Sequence, residues 1–545
     1  MNRRRDVPTP TLSLPVVLAA LAFDLALVPT LLPRPWWVNG VFVGVSAAQT
    51  FLLAVGARWT GRVVLGWARP RGPAARRTRW CHGGSDGRPG GRRRRTWSGA
   101  ALLTLLVTSA VAGQLKQAGL ERSMQLPPGS FTHQAMHQSG AVGVGLLTAA
   151  LLVGLVLLAV RALRAALREA VRVFARSRRL RAATLVPVVT IAGCTVSVPW
   201  GPTSTPASAA VAASRPAAPA VGREAGAVVV SEGSLGAKGH QFLRGTTPSS
   251  VIARVTGEAA RRPVRVYAEL RAGEGDEARA ARGVAQLRGS GALDRSAVLV
   301  VVPTGSGWVD PAAVTAVETL TGGDVATLAV QYADVPSWVA YLRGAGSAER
   351  SAAAVIRDVR SLLDTVPVER RPRLLVYGES LGALGGLRAL VGGASGLAGT
   401  GGSGLEDVDG ALWVGVPADV ARLGHRAGRR GQAVLVHRDD PVAAWSATLA
   451  VRPAAGWRAP WWPVVTFWQA TADLVSAYST PDGYGHRYGA ELVDAWRPVL
   501  ARAGVGSPVT VGPATGGEMT LTVVRHLVSQ TSDGGSSLPS RAPEG

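Results

Sequence analysis

The sequence contains only two cysteines, Cys81 and Cys194, among 545 residues. Two thiols without further Cys or His neighbours at zinc-ligand spacing do not build a structural metal site, and they exclude a disulfide-rich scaffold. We therefore expect no metal and no cofactor. Charge is also sparse, because 17% of the residues are charged and 47% are hydrophobic. This composition excludes an intrinsically disordered chain.

Acidic residues are few, and the 35 of them against 59 basic residues leave a net charge of +24. Such an excess can indicate nucleic-acid binding. However, 20 of these 24 charges lie in three stretches, residues 3–6, 58–95 and 161–181, which flank long apolar runs. Arginines beside membrane spans need no further partner, so we expect no nucleic-acid ligand.

Long apolar runs dominate the first 199 residues, and each is about long enough to cross a ~30 Å hydrocarbon layer as a helix. There are five, the last of them weaker: Leu12–Leu32, Trp36–Val55, Ser98–Leu115, Ala141–Val160 and Ala182–Val198. Placing the arginine-rich stretches in the cytoplasm orients all five without conflict. The sequence thus predicts a transmembrane α-helical bundle of about five spans over residues 1–199. It would lie in the cytoplasmic (inner) membrane, with the lipid bilayer as partner and everything after residue 200 extracytoplasmic.

The rest of the chain divides by composition. Residues 200–226 are rich in Pro, Ala and Ser and predict a linker, and residues 530–545 predict a disordered tail. Between them, residues 227–529 alternate short apolar strands with helical segments, which is typical of a mostly parallel sheet covered on both faces. The expected strands are Val264–Leu270, Ala297–Val302, Ala326–Val330, Leu374–Tyr377, Ala411–Val416, Ala433–Val436 and Val464–Phe467.

A G-x-S-x-G motif occurs twice, at residues 378–382 and 83–87. The motif works as a nucleophile only in a tight turn between a strand and a helix. Ser380 follows an expected strand and precedes leucines at helical spacing, whereas Ser85 is surrounded by arginines. The sequence therefore predicts Ser380 as the nucleophile and rejects Ser85.

A serine nucleophile needs a histidine base and an acid that orients the base, and in α/β-hydrolases these follow the serine in the order acid, histidine. His486, in a glycine-rich loop, is the predicted base, since His526 follows a run resembling packed secondary structure. Asp440 is the preferred acid because it follows a strand and precedes Pro441, which favours a turn. Asp439 and Asp473 remain alternatives.

Ester cleavage through an acyl-enzyme also needs backbone donors for the oxyanion. The nucleophile turn supplies one from the amide of Leu381, and the loop after an earlier strand supplies the other. The glycine-containing segment after Ala297–Val302 has this form, with Thr304, Gly305 and Ser306 as candidates.

These motifs together resemble the actinobacterial membrane-anchored α/β-hydrolases, in which a multi-span N-terminal domain precedes a hydrolase domain. The segments that carry the resemblance are residues 29–34, 304–311, 331–332, 336–338, 371–373, 378–382, 409–413, 440–442 and 485–488. The resemblance covers nearly the whole chain and implies a serine hydrolase with a Ser-Asp-His triad and an unassigned substrate.

The expected function is thus a membrane-anchored serine hydrolase that cleaves carboxylic esters, with an acyl ester or a lipid as substrate. Two alternatives stay open, an acyltransferase that uses a cell-envelope lipid or sugar as acceptor, and a non-catalytic binding module on a membrane bundle.

Two features of the sequence allow more than one interpretation. Asp24 is either a packed polar residue of the first span or part of a relay or ligand site. The tryptophans of 457–468 either form a core or line an acyl-chain groove or membrane face.

Overall fold

The structure of the chain is a computed structural model. It describes residues 13–67, 99–127, 129–176, 236–335, 337–342, 346–392, 407–429, 432–454, 457, 459–506 and 516–532. The strands are β1 (Val264–Ala268), β2 (Ala297–Val302), β3 (Val325–Val330), β4 (Arg373–Glu379), β5 (Gly410–Val414) and β6 (Ala433–Leu435). The α-helices are α1 (Leu14–Ala26), α2 (Trp36–Trp67), α3 (Gly99–Ser123), α4 (Phe131–Arg176), α5 (Ala237–Arg244), α6 (Ser249–Thr256), α7 (Asp276–Gly289), α8 (Pro311–Leu320), α9 (Ser337–Leu342), α10 (Gly346–Leu363), α11 (Leu381–Leu387), α12 (Ala421–Arg429), α13 (Pro441–Ala444), α14 (Val465–Ser476), α15 (Glu491–Ala503) and α16 (Gly516–Ser532).

The chain divides into two compact units, each of which combines two separate segments of the sequence. The first consists of Met1–Val189 together with Ser446–Ser476, and the second of Thr190–Trp445 together with Ala477–Gly545. The segment Ser446–Ser476 lies inside the region that the sequence assigns to the catalytic domain. It nevertheless packs with the N-terminal helices.

The second unit is built on a six-stranded parallel sheet with the strand order β1-β3-β2-β4-β5-β6. Alternate residues of the central strands enter two separate cores. Val298 and Val300 pack on one face, whereas Leu299 and Val301 pack on the other. Helices therefore cover both faces, which explains why these strands are continuous apolar runs. The predicted parallel sheet is confirmed.

One of the seven expected strands is wrong. Val464–Phe467 does not join the sheet: Val464 lies in a turn, and residues 465–467 begin α14, a helix of the first unit. Its β-branched and aromatic residues favour a strand locally. Packing decides otherwise, because Val465 is buried in a core with Ala22 and Phe23 of α1.

The first unit contains two described helices that are long and apolar enough to cross a membrane, Trp36–Val64 and Phe131–Arg172, instead of about five. The expected first span is shorter than predicted, since α1 has 13 residues and ends before Pro29. A helix of that length extends only about 20 Å. The helix α3, which covers the expected third span, does not qualify, and its last turns carry Lys116 and Glu121.

Several predictions concern residues outside the described ranges. These are the fifth span, the linker 200–226 and the tail from residue 533 to 545. Asp24 is described, and it is buried within the first unit.

A buried ion pair holds α14 in the first unit. Arg34 Nε lies 2.7 Å from Asp473 Oδ1, and the two side chains are 1% and 0% exposed. Asp473 also accepts hydrogen bonds from the Thr30 hydroxyl and from the amides of Leu31 and Leu32. Arg34 in turn donates to the Gln469 carbonyl at 2.9 Å. With every charge partnered, burial of this pair is tolerable, but loss of one partner is costly.

We expect Asp473→Asn to lower the free energy of unfolding of the first unit by about 3–5 kcal/mol, because it leaves the Arg34 charge buried without a counter-charge. Thermal unfolding of the full-length protein in detergent, followed by tryptophan fluorescence, measures this. Glu169→Gln is the matched control, because it removes the exposed Arg172–Glu169 pair and should cost at most about 1 kcal/mol. Equal decreases in the free energy of unfolding for the two variants would contradict a structural role of the buried pair.

Candidate active site

Ser380 occupies a strained turn between β4 and α11. Its backbone angles are φ 54° and ψ −117°, one of three positive φ values among the described non-glycine residues. The Ser380 amide donates to the carbonyl of Val414 at 3.0 Å, and its carbonyl accepts from Leu384. A positive φ at a non-glycine residue costs free energy and persists only where the surroundings enforce it. This is the conformation that a nucleophile turn requires.

The two glycines of the motif allow this turn to close. A Cβ added at Gly378 would lie 2.8 Å from the Ala383 amide nitrogen. A Cβ added at Gly382 would lie 2.1 Å from the carbonyl oxygen of Val302, at the end of β2. Only glycine permits such close approach of two backbones. The start of α11 is therefore packed directly against the neighbouring strand, and Ser380 is held at the carboxyl edge of the sheet.

The structure brings the predicted acid and base together. His486 Nδ1 lies 2.8 Å from Asp440 Oδ2, and both residues are 1% exposed. Asp440 also accepts from the Tyr488 hydroxyl at 2.7 Å and from the Val442 amide at 2.8 Å. A carboxylate with these donors holds the imidazole with its proton on Nδ1 and leaves the lone pair on Nε2.

The imidazole lies at the same sheet edge as the serine. A Cβ added at Gly415, directly after β5, would lie 2.4 Å from His486 Cε1. Strands β4 and β5 are neighbours, with Glu379 opposite Val414. His486 Nε2 is buried and has no hydrogen-bond partner among the described residues. The Ser380–His486 hydrogen bond is thus not formed, and such bonds are often long in free enzymes.

The two alternative acids have other partners. Asp439 accepts a hydrogen bond from the Gly485 amide at 3.1 Å, so it shapes the loop that carries His486. Asp473 belongs to the first unit, where it pairs with Arg34. Of the three aspartates, Asp440 is the one that contacts the imidazole of His486.

Residues that the sequence did not single out hold the histidine loop. His437 stacks on Tyr488 with ring centroids 4.1 Å apart, and its two ring nitrogens lie 3.0 Å from the Gly485 carbonyl and from Glu491 Oε1. The His486 amide donates to the Ala477 carbonyl. His437 precedes Asp440 in the chain, so the order serine, acid, histidine does not fit it as the base. Its contacts give it a supporting role instead.

The predicted oxyanion donors differ in their surroundings. Leu381 is the first residue of α11, where backbone amides have no acceptor within the helix. The Thr304 amide, in contrast, already donates to the Trp308 carbonyl at 3.0 Å. Thr304 is therefore not available as a donor in this conformation, and Gly305 and Ser306 follow it in the same turn. The Tyr267 hydroxyl supports this turn by donating to the Gly307 carbonyl at 2.8 Å.

Two further buried carboxyl groups, Asp310 and Glu379, lie beside these residues. Each is 4% exposed. Burial raises the pKa of Asp310 to about 7. Burial, followed by the nearby charge of Asp310, raises the pKa of Glu379 well above its usual value. The sequence pattern gave no signal for this pair, because only the fold brings residues 310 and 379 together.

The tryptophans of 457–468 belong to the first unit. Trp461 donates to the Leu449 carbonyl, and Trp468 donates to Gln49 and packs against Phe42. Trp462 is exposed. The cluster thus combines packed rings with one ring at the surface.

Two family models match the chain. The one described as an alpha/beta-hydrolase family covers residues 264–433 and 419–510, which include Ser380, Asp440 and His486. The one described as the N-terminus of an alpha/beta-hydrolase family covers residues 27–218. No curated protein and no solved structure matches. The parallel sheet, the strained serine turn and these two matches agree, and the chain belongs to an alpha/beta-hydrolase family.

Proposed function

We propose that the protein is a serine hydrolase that cleaves carboxylic esters through an acyl-enzyme. The observation that carries this proposal is the 2.8 Å contact of His486 Nδ1 with Asp440. The imidazole lies next to Gly415, directly after β5, and β5 is the neighbour of β4, which directly precedes Ser380. The neutral form of this imidazole can accept the serine proton on Nε2, which has no hydrogen-bond partner among the described residues.

The proposed reaction has two halves. Ser380 Oγ attacks the acyl carbon while His486 Nε2 takes the hydroxyl proton. The amide of Leu381 and an amide from the Gly305–Ser306 part of the turn after β2 stabilise the oxyanion. His486 then gives its proton to the leaving alcohol as the ester bond breaks. In the second half His486 takes a proton from water while the water oxygen attacks the acyl carbon. His486 then returns this proton to Ser380 Oγ as the bond between the acyl group and the serine breaks, and the carboxylic acid leaves.

We further propose that the first unit anchors the enzyme in the cytoplasmic membrane with the hydrolase unit outside. Support comes from the apolar helices Trp36–Val64 and Phe131–Arg172. The arginine-rich residues 58–95 and 161–181 include the C-terminal end of each of these helices. Arginine-rich segments beside a span favour the cytoplasmic side of the membrane. An enzyme held at a bilayer meets apolar acyl donors, so the substrate class we propose is an acyl ester or lipid.

A fluorophosphonate probe should label the wild-type protein, because its phosphorus is attacked as an acyl carbon would be. Ser380→Ala should abolish the label. Ser85→Ala is the matched control, since Ser85 occupies the other G-x-S-x-G sequence, and it should be labelled like the wild type. A folded wild-type protein that takes no label would refute a serine hydrolase and support a binding module.

Asp440→Asn should lower kcat on a short-chain p-nitrophenyl ester by about 10³–10⁴-fold, because the amide no longer holds the imidazole in the required tautomer. Asp439→Asn serves as the neighbouring comparison. It loses only one hydrogen bond to the loop amide of Gly485, so we expect about a tenfold loss or less. If the asparagine at 439 proved the more damaging of the two, the assignment of the acid would be wrong.

The proposed topology predicts that a periplasmic reporter fused after residue 220 is active and that a cytoplasmic reporter at the same site is silent. The reason is that arginine-rich loops stay in the cytoplasm. The chain would then reach the outer side before residue 220 through the predicted fifth span, which lies outside the described residues. A fusion within residues 68–95 should behave in the opposite way. The reverse pattern would invert the proposed orientation.

A further inference from the structure

Both ring nitrogens of His437 face hydrogen-bond acceptors. Nδ1 lies 3.0 Å from the carbonyl oxygen of Gly485, and Nε2 lies 3.0 Å from Glu491 Oε1. The His437 side chain is 12% exposed. A backbone carbonyl oxygen only accepts hydrogen bonds, so the contact at Nδ1 requires a proton on that nitrogen.

The partner at Nε2 is a carboxylate. Glu491 Oε1 also accepts a hydrogen bond from the Gly489 amide at 2.9 Å, and hydrogen bonds to a carboxylate favour its ionised form. Burial acts to raise the pKa of Glu491, but the hydrogen bonds from His437 and from backbone amides outweigh burial and lower this pKa. An ionised carboxylate has no proton to donate, so the contact at Nε2 also requires a proton on the ring.

Only the imidazolium form of His437 satisfies both contacts, because a neutral imidazole carries one N–H and one lone pair. Burial acts to lower the pKa of His437, but the hydrogen bonds to Glu491 and to the Gly485 carbonyl, with the charges of Glu491 and Asp439, outweigh burial and raise it. The Tyr488 ring, stacked at 4.1 Å between centroids, offers an aromatic face to this cation.

The neighbouring cations do not oppose this charge at close range. Arg438, the next residue in the chain, is exposed. Arg487, in the loop of His486, pairs with Asp482 at 2.6 Å. The charged group that contacts the ring of His437 is thus the carboxylate of Glu491, on α15.

His437 helps to fix the loop that carries the proposed base. Gly485 directly precedes His486 and has a positive φ of 59°, and glycine can leave such a conformation at little cost. The carbonyl of Gly485 contacts His437 Nδ1, and its amide donates to Asp439 at 3.1 Å. Both peptide groups of Gly485 are therefore tied to the segment 437–440, which also contains Asp440.

His437 also contacts the loop on the far side of His486. Its amide donates to the Tyr488 hydroxyl at 3.3 Å, and this hydroxyl donates to Asp440 Oδ2 at 2.7 Å. The same oxygen of Asp440 contacts His486 Nδ1. His437 thus contacts residues on either side of the proposed base.

We propose that His437 is a positioning residue that acts as an imidazolium, donating to Gly485 and Glu491 at once and so holding the loop of His486 in register with Asp440. When the ring loses a proton, the Glu491 carboxylate, as the stronger acceptor, keeps the remaining N–H. The lone pair on Nδ1 then faces the Gly485 carbonyl oxygen, and the two repel each other. The loop loosens, and proton transfer from Ser380 to His486 slows. The inference rests on the proposed hydrolase function, because it concerns the base of that reaction.

The pH range follows from the direction of the shift. The pKa of His437 is raised above its ordinary value of about 6.5. The contact with Gly485 is therefore intact in acid and is lost as pH rises through this raised pKa. The wild-type kcat should fall on the alkaline side to a plateau about 10- to 100-fold below its maximum, the effect of a small misplacement of a catalytic group. KM should change little, because only the base is displaced.

The test is the pH profile of kcat and KM for a short-chain p-nitrophenyl ester, after subtraction of the rate with Ser380→Ala. Glu491→Gln keeps the ring of His437 but removes the charge that favours its imidazolium, so the alkaline limb should move to lower pH. In His437→Asn the side-chain amide can replace the Nδ1 donor at every pH. We expect this variant to have a lower maximum than the wild type and no alkaline limb.

The matched controls are His425→Asn and Glu274→Gln, since both side chains are exposed and belong to the same unit. Both variants should keep the wild-type profile.

A second measurement reads the charge of His437 without turnover. In nuclear magnetic resonance spectra of protein with isotope-labelled histidine, the His437 signals are those that disappear in His437→Asn. At neutral pH they should show a proton on each ring nitrogen. In Glu491→Gln, the ring should lose its second proton at a lower pH than in the wild type.

Three outcomes would overturn the inference: an active wild-type enzyme without an alkaline limb, a limb that stays in place in Glu491→Gln, or a neutral His437 ring at neutral pH. The spectra and the Glu491 variant make the test independent of whether His437→Asn is active. Absence of both turnover and fluorophosphonate labelling in the wild type would instead refute the proposed function, whatever the charge of His437.

Discussion

The contact between Gly382 and the end of β2 is the constraint on which the site depends. It leaves no space for a side chain, since a Cβ would lie 2.1 Å from the Val302 carbonyl oxygen. Because β2 and β4 are hydrogen-bonded neighbours within the sheet, neither can move to relieve this contact. The strain at Ser380 is therefore maintained by the parallel sheet. The turn that follows β2 and the histidine beside the end of β5 are positioned by the same edge.

The buried carboxyl groups of the site differ in their hydrogen-bond partners, and this difference suits them to different roles. Asp440 accepts hydrogen bonds from a ring nitrogen, a phenol and an amide, so its negative charge is well stabilised. Asp310 and Glu379 are just as buried, but each has the other as a neighbour. One acid is thus suited to orient an imidazolium, whereas the other two are suited to retain a proton.

The path of the chain links the N-terminal helices covalently to the segments that carry Asp440 and His486. After Asp440 the chain enters the first unit as Ser446–Ser476, and it leaves again ten residues before His486. Within that unit Asp473 is paired with Arg34. Removal of the N-terminal helices would leave the buried Asp473 carboxylate without its partner. The N-terminal helices are accordingly a structural component of the protein.

The sequence by itself determined the alternation of strands and helices, the serine turn and the order serine, acid, histidine, because these depend on local periodicity and on glycine spacing. It favoured Asp440 as the acid but left Asp439 and Asp473 open, because the three differ in their partners across the fold. The sequence also did not predict that residues 465–467 are helical, because packing of Val465 against α1 overrides their local preference for a strand. Nor did it predict that the Thr304 amide is already bonded to the Trp308 carbonyl within its turn. Only the tertiary structure brings Asp310 to Glu379, because contacts between residues far apart in the chain leave no periodic pattern in the sequence.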